Sequence, residues 1–91
     1  MSSKRDRFLV AFAQVIRSAD QLPVQCPLCG LGRIRFRYVA YEETRMGYCD
    51  AWCDVCLEGV HISRVGVPAG IEFREFSEAH DDEIPKFIHL E

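Results

Sequence analysis

The sequence has no long apolar run, few histidines and no excess of basic residues, and each shortage argues against a class of protein. The most apolar stretch, residues 8–16, is much too short to cross a lipid bilayer, so we expect no membrane insertion. With three histidines and no Ser/His/Asp set, phosphate-binding loop or convincing carboxylate pair, we expect no enzyme. A net charge of −3 does not favour non-specific binding to nucleic acid, which depends on positive surface.

The length of 91 residues predicts a single small domain, residues 1–91, with no room for a second core. A core of this size usually needs a disulfide, a metal or a partner subunit for stability. Basic residues before the apolar stretch are a feature of secretory signals, but Gln14 and Arg17 interrupt or end the stretch. We therefore expect a cytoplasmic protein, in which thiols stay reduced and paired cysteines favour a metal over disulfides.

Four of the five cysteines lie in two Cys-x-x-Cys pairs, CPLC at residues 26–29 and CDVC at residues 53–56. Each pair places two thiolates on one tight turn, and two such turns supply the four sulfurs that tetrahedral Zn²⁺ takes at about 2.3 Å. The sequence therefore predicts one structural zinc ion with four ligands: Cys26, Cys29, Cys53 and Cys56. Iron in the same site and a dithiol redox pair are the alternatives. We expect left-handed backbone at the neighbouring glycines, Gly30, Gly32 and Gly59.

Side-chain alternation predicts three short strands around these turns, at residues 33–41, 48–53 and 60–65. The first two would form a hairpin that bridges the 23 residues between Cys29 and Cys53. His61 on the third strand is expected to lie on a sheet face rather than to serve as an alternative metal ligand.

Apolar residues at helical spacing from Phe8 to Ala19 predict an amphipathic N-terminal helix over residues 4–20. This helix either packs on the sheet of its own chain or is shared across the interface of a homodimer. Residues 71–91 contain two basic and seven acidic residues, which gives them a charge of −5. We expect this acidic segment to cross the core as a lightly ordered strap.

The pattern CPLCG, then a strand pair, then CDVCLEG resembles the zinc ribbon, a hairpin-and-knuckle module of many transcription, translation and RNA-polymerase proteins. The resemblance covers residues 26–65, and the whole chain looks like a small bacterial zinc-ribbon protein. It implies a small, metal-stabilised α+β domain with a three-stranded antiparallel sheet and an N-terminal amphipathic helix. The resemblance implies that the four paired cysteines bind the metal, and it implies no narrower role.

We expect the chain to be a non-catalytic structural-zinc protein that acts as a protein-interaction or regulatory module. A zinc ion with four cysteine ligands has no open coordination position and cannot activate water. The N-terminal helix is also more apolar than a small ribbon easily buries. The expected partner is therefore another protein or a second copy of this chain, bound through the helix and the sheet.

The alternative is a zinc ribbon that binds nucleic acid through a basic strand face. The residues of this interpretation are Arg33, Arg35 and Arg37, with Tyr41 on the same face and Arg45 in the connecting loop. Basic residues interleaved with aromatic rings can contact phosphates and stack on bases. Against this interpretation, the same arginines could lie on an outward sheet face or pair with Glu42, Glu43 and the acidic segment 71–91.

Cys49 is the cysteine outside the two pairs. On an extended strand it lies about 13 Å from Cys53, at about 3.3 Å per residue, so it cannot reach the same zinc ion. We expect it to be a small buried apolar residue beneath the hairpin. The alternative is a redox-sensitive thiol near the zinc site.

Overall fold

One helix and five strands make up the part of the chain that the computed structural model describes, residues 3–17 and 24–90. In chain order the elements are α1 Lys4–Arg17, β1 Ile34–Ala40, β2 Met46–Cys53, β3 Glu58–Gly66, β4 Arg74–Glu75 and β5 Ile88–His89. Two short 3-10 helices, Phe76–Glu78 and Asp81–Glu83, lie between β4 and β5. The predicted helix extended to residue 20, and its last part, residues 18–20, lies outside the described residues. No helix in the described part of the chain is long and apolar enough to cross a membrane.

Strands β1, β2 and β3 form an antiparallel sheet, which confirms this part of the prediction. Their register places Tyr38 opposite Cys49 and Cys49 opposite Ile62, so these three side chains lie on one face. Because successive side chains of a strand point to opposite faces, Asp50 and Trp52 lie on the other face. The sheet therefore has one apolar face and a second face that carries charged and aromatic residues.

Helix α1 packs on the apolar face of its own sheet. Ser3 caps the start of the helix, because its Oγ accepts a hydrogen bond from the N–H of Asp6 at 3.0 Å. The helix buries four residues at helical spacing, Phe8, Ala11, Phe12 and Val15. The Phe12 ring contacts the Phe36 ring of β1, with 5.7 Å between centroids. These contacts support the first of the two alternatives for the helix, and Val10, which is 63% exposed, lies on its outer side.

The sheet differs from the predicted three antiparallel strands, because the C-terminal segment adds a strand at each outer edge. Strand β4 pairs in parallel with β1, and β5 pairs in parallel with β3, which gives the order β4-β1-β2-β3-β5. The sheet is therefore five-stranded and mixed. Each added strand has only two residues and supplies backbone partners to an edge of the sheet. A strand of two residues has no side-chain alternation that a sequence could reveal.

Between β4 and β5 the chain crosses the sheet face opposite α1. The ring of Phe76 contacts the ring of Tyr48 at a centroid distance of 5.7 Å, and the ring of Phe87 contacts Trp52 at 6.1 Å. Tyr48 and Trp52 both belong to this face. Residues 71–90 are called the strap below: the strap begins in the core, where Ile71 is buried, and between β4 and β5 it crosses the second face from one edge of the sheet to the other.

Candidate metal centre

Two short turns position the four paired cysteines. In the first turn, the N–H of Gly30 donates to the carbonyl of Cys26 at 3.0 Å. In the second turn, the N–H of Leu57 donates to the carbonyl of Cys53 at 3.1 Å. The two turns therefore have the same hydrogen bond, made by the residue that follows the second cysteine.

Backbone N–H groups also point at the first sulfur of each turn. The amide nitrogen of Leu28 lies 3.4 Å from the Sγ of Cys26. The amide nitrogens of Val55 and Cys56 each lie 3.4 Å from the Sγ of Cys53. Such donors stabilise the thiolate, which is the form of cysteine that binds a metal.

The β1–β2 hairpin brings the two turns together, although 23 residues separate their nearest cysteines. Ile34 of β1 lies opposite Cys53 of β2 in the sheet register. The N–H of Ile34 also donates to the carbonyl of Val24 at 2.9 Å, which holds the first turn at the start of β1. Asp54 fixes the second turn, because its Oδ1 accepts the N–H of Arg33 at 2.8 Å. This hydrogen bond holds the pKa of the Asp54 carboxyl below its ordinary value.

The four sulfur atoms form a cluster of the size that one zinc ion needs. All four Sγ atoms lie within 4.8 Å of one another. The Sγ atoms of Cys26 and Cys56 are 4.0 Å apart, and those of Cys29 and Cys53 are 3.6 Å apart. In a tetrahedron with zinc–sulfur distances of about 2.3 Å, neighbouring sulfurs are about 3.8 Å apart. The four cysteines therefore fit a tetrahedral zinc ion in number, type and spacing.

The thiols of this cluster differ in pKa because their surroundings differ. The backbone N–H groups of Leu31 and Gly32 lower the pKa of Cys29 to about 6. Burial raises the pKa of Cys26, and it raises the pKa of Cys56 to about 12. Four neighbouring sulfurs cannot all ionise without a compensating positive charge. A divalent cation supplies this charge, so metal binding to the cluster is expected to release protons.

The glycines beside the turns differ from the prediction. Gly30 has left-handed backbone, with a φ of 71°, as expected. Gly32 and Gly59 do not, and they are needed instead because other atoms approach them closely. A Cβ at Gly32 would collide with the Sγ of Cys53. In the second turn the left-handed residue is Leu57, with a φ of 56°, a position that no glycine marks in the sequence.

Cys49 lies apart from the cluster, in the core between α1 and the sheet. Its side chain is 0% exposed, and its thiol lies 3.7 Å from the carbonyl oxygen of Asp50. Burial raises the pKa of Cys49 to about 12, which keeps the thiol neutral at physiological pH. These surroundings are those of a small buried apolar residue, the first of the two alternatives considered from the sequence.

The structure brings together only part of the basic face predicted from the sequence. Arg35 and Arg37 lie on the sheet face opposite α1. There the Nε of Arg35 is 3.2 Å from Oδ2 of Asp54, and the Nη1 of Arg37 is 3.5 Å from Oε1 of Glu83 in the strap. Arg33, just before β1, is exposed. Two of the three arginines are therefore paired with carboxylates, and one of these carboxylates belongs to the acidic segment.

Tyr41 belongs to this face, but Arg45 does not. The ring of Tyr41 contacts Phe76 of the strap, with 4.5 Å between centroids. Arg45 contacts the segment after β3: its Nη2 donates to the carbonyl of Pro68 at 3.0 Å, and its guanidinium lies 5.1 Å from the centre of the Phe73 ring. Arg45 therefore stabilises a loop and does not extend the basic face.

A hydrogen-bonded pair of a buried aspartate and an exposed histidine on the same face was not predicted from the sequence. Asp50 is 7% exposed, and its Oδ1 lies 2.7 Å from the Nδ1 of His61. The pair forms because the register places Asp50 of β2 opposite His61 of β3. Side-chain alternation marks both residues as polar positions on their strands, but only the register of two separate strands joins them.

Comparison of the chain with protein-family models, with curated proteins and with solved structures finds no match. The function is therefore inferred from the cysteine cluster and from the surfaces around it.

Proposed function

We propose that this chain is a non-catalytic zinc-ribbon protein whose single structural Zn²⁺ is bound by Cys26, Cys29, Cys53 and Cys56 and whose surface binds a partner protein. The observation that supports it most directly is the tetrahedral spacing of the four Sγ atoms, all within 4.8 Å of one another. A second supporting observation is that two cysteine turns with the same hydrogen bond lie together at the open end of the β1–β2 hairpin, the arrangement expected of a zinc ribbon. Four sulfur ligands leave no coordination position for water, so the ion stabilises the fold and takes no part in a reaction.

Apolar side chains exposed around the two cysteine turns support the protein-binding part of this proposal. Leu31 lies beside the first turn and is 76% exposed, and Val55 in the second turn is also exposed. Leu57 and Ile88 continue this surface, because the N–H of Ile88 donates to the carbonyl of Leu57 at 2.7 Å. Apolar side chains that are grouped on an exposed surface are a common feature of protein-interaction sites.

Metal content and metal-dependent folding test the zinc part of the proposal. Native mass spectrometry should find one zinc ion per chain, and a chelator should unfold the protein, because metal binding and folding are coupled. Cys26→Ser should lose the ion, whereas Cys49→Ala should keep it, because Cys49 lies outside the cluster. A metal-free chain with unchanged circular dichroism and thermal unfolding would contradict the proposal.

Partner binding is tested with a matched pair of variants, Leu31→Asp and Val10→Asp. Both replace an exposed apolar side chain, Leu31 beside the cysteines and Val10 on the outer side of α1. Proteins that co-purify with each chain from extracts of its own cells are identified by mass spectrometry. Leu31→Asp should lose a partner that Val10→Asp keeps. A wild-type chain without any partner, or a partner that Leu31→Asp retains, would argue against this surface.

A cytoplasmic location, where the thiols stay reduced, remains a prediction.

A further inference from the structure

The strap covers the sheet face opposite α1 with rings that contact rings of the sheet. The ring of Phe76 contacts both Tyr41 and Tyr48, at centroid distances of 4.5 Å and 5.7 Å. Farther along the strap, the ring of Phe87 lies nearly parallel to the indole of Trp52, with 6.1 Å between centroids and 18° between planes. The sheet therefore offers two aromatic sites, and the strap fills each of them with a phenylalanine: Phe76 packs tilted and edge-on, at 36° to Tyr41 and 67° to Tyr48, and Phe87 lies in a parallel stack on Trp52.

His89 extends the stack of Phe87 on Trp52. Its ring is nearly parallel to that of Phe87, at 4.7 Å and 18°, and to that of His61 in β3, at 6.4 Å and 10°. Trp52, Phe87, His89 and His61 form one row of nearly parallel rings, in which the outer two belong to the sheet and the inner two to the strap. Parallel stacking on aromatic side chains is how proteins hold the bases of single-stranded nucleic acids.

A carboxylate of the strap, placed between the two aromatic sites along the chain, pairs with Arg37 of the sheet and with Arg74 of the strap itself. Glu83 places its Oε1 3.5 Å from the Nη1 of Arg37 and its Oε2 2.7 Å from the Nη2 of Arg74. Phe76 precedes Glu83 in the strap, and Phe87 follows it. The strap therefore presents ring, carboxylate and ring in the order in which a single strand presents base, phosphate and base.

The strap does not satisfy all the hydrogen-bond donors of Arg37. The Arg37 side chain is 12% exposed, and its Nη1 donates to the carbonyl of His80 at 2.7 Å. Its Nε is buried and has no hydrogen-bond partner within the described residues. A buried donor without a partner is unfavourable. A phosphate group has more acceptor oxygens than a carboxylate and pairs with two arginine nitrogens at once.

From this pattern we propose that the sheet face opposite α1 is a binding site for single-stranded nucleic acid, and that the strap occupies this site as an intramolecular competitor. Once the strap is displaced, Tyr41, Tyr48 and Trp52 stack on bases, and Arg35 and Arg37 contact phosphates. The site lies beside the second cysteine turn, where Arg35 pairs with Asp54, but it uses none of the four clustered sulfurs. It goes beyond the proposed function because it requires no partner protein.

Charge and the short strand pairing both favour exchange of the strap for a nucleic acid. Residues 71–91 carry a charge of −5, whereas residues 1–70, with nine basic and seven acidic residues, carry +2 before a zinc–thiolate cluster is counted. Displacement of the strap therefore removes negative charge from a surface that binds phosphates. The strap pairs with the sheet through strands of only two residues at each end, so it should open at a lower free energy than the core.

The experiment opens the strap in the full chain with the double variant Phe76→Ala/Phe87→Ala. Fluorescence anisotropy measures binding of a labelled oligothymidylate of about 12 nucleotides, a length within the range of small single-strand sites. If the strap is open in less than about one tenth of wild-type molecules, the double variant should bind at least about tenfold more tightly. Its affinity should fall as the salt concentration rises from about 50 mM to about 200 mM. The fluorescence of Trp52, the single tryptophan, reports strap opening and base stacking.

Three further variants sharpen the test. Val10→Ala, on the outer side of α1, is the matched control and should leave the affinity unchanged. Glu83→Gln removes only the carboxylate and should give a smaller gain in affinity. If the double variant does not fold, Glu83→Gln tests whether weakening the strap increases the affinity for the single strand. Arg37→Gln in the opened chain should cancel most of the gain. An oligouridylate of the same length distinguishes RNA from DNA as the ligand.

Strap opening without a gain in single-strand affinity would overturn the proposal. Equal binding of a duplex of the same length would also overturn it, because the bases of a duplex are not available for stacking. If the double variant is unfolded, the absence of any gain in Glu83→Gln counts against the site in the same way. Zinc content is measured on the same samples. Zinc retained without oligonucleotide binding removes the nucleic-acid site and leaves the zinc-ribbon proposal intact.

Discussion

Gly30 and Leu57 occupy the same place in the two cysteine turns, one residue after the second cysteine, and both have left-handed backbone, with φ of 71° and 56°. Each donates its N–H to the carbonyl of the first cysteine of its turn, at 3.0 Å and 3.1 Å. Glycine takes this conformation without strain, whereas for a residue with a Cβ it costs about 1–2 kcal/mol. The two turns are therefore alike in geometry and different in strain.

Substitutions at these two positions should change stability in opposite directions. Gly30→Ala should lower the free energy of unfolding by about 1–2 kcal/mol through backbone strain. Packing adds little there, because the atom nearest to a Cβ at Gly30 is the Nε2 of Gln25 at 4.0 Å. Leu57→Gly should raise the free energy of unfolding by up to about 1 kcal/mol, because relief of strain exceeds the entropic cost of glycine. Urea unfolding of the zinc-loaded protein measures both changes, and two changes of the same sign would contradict this interpretation.

Gly32 lies against the Sγ of Cys53, and its substitution should weaken metal binding. A Cβ at Gly32 would collide with that sulfur and would lie 2.8 Å from the Oδ1 of Asp54. Gly32→Ala should lower zinc affinity at least about fivefold, because overpacking of this kind costs about 1–3 kcal/mol. Competition with a zinc-binding dye measures the affinity. Gly66→Ala is the matched control, because the atom nearest to its Cβ would be 3.4 Å away. Equal affinities for the two variants would exclude this role for Gly32.

Cys49 should resist alkylation in the zinc-loaded protein. Its side chain is 0% exposed, and burial raises its pKa to about 12, so little thiolate is present at neutral pH. After chelation and unfolding, mass spectrometry should find iodoacetamide on all five cysteines. Rapid modification of Cys49 alone in the loaded protein would instead support the redox-sensitive thiol considered from the sequence.

Local sequence patterns were sufficient to predict the cysteine cluster. Cys-x-x-Cys spacing fixes two sulfurs on one turn, and alternation around Phe36 and Trp52 predicts the hairpin that joins the turns. Local patterns fail where a contact between distant segments determines which residue a position requires. Gly32 is required because a sulfur from β2 lies next to it. Leu57 is a different case: its left-handed backbone belongs to a local turn, but no glycine marks the position in the sequence.

The second face of the sheet depends almost entirely on such distant contacts. Arg37 and Arg45 belong to one basic and aromatic stretch of sequence, yet Arg37 pairs with Glu83 of the strap and Arg45 contacts Phe73. Strands β4 and β5 are too short for periodicity, and their parallel pairing is set by the path of the strap. The composition of residues 71–91 predicts an acidic segment, but it does not indicate which rings of the sheet that segment covers.

Glu83 should make the stability of the strap dependent on pH. Its carboxylate accepts the N–H of His80 at 2.8 Å and pairs with Arg74 and Arg37. These contacts, the His80 hydrogen bond first, hold the pKa of Glu83 below its ordinary value of 4.5. Because the pKa in the folded protein is lower than in the unfolded chain, ionised Glu83 stabilises the strap fully above about pH 4.5. That stabilisation is lost as the pH falls through the folded pKa.

Glu83→Gln should therefore destabilise the protein at neutral pH, and its difference from the wild type should stay constant down to about pH 5 and shrink below that. Urea unfolding followed by Trp52 fluorescence, with zinc in excess, measures the difference. Glu78→Gln is the matched control, because Glu78 is an exposed carboxylate of the strap without an ion pair in the described residues, and it should leave stability unchanged. A difference for Glu83→Gln that grew as the pH fell would contradict the prediction, because it would mean that the folded strap favours the protonated carboxyl.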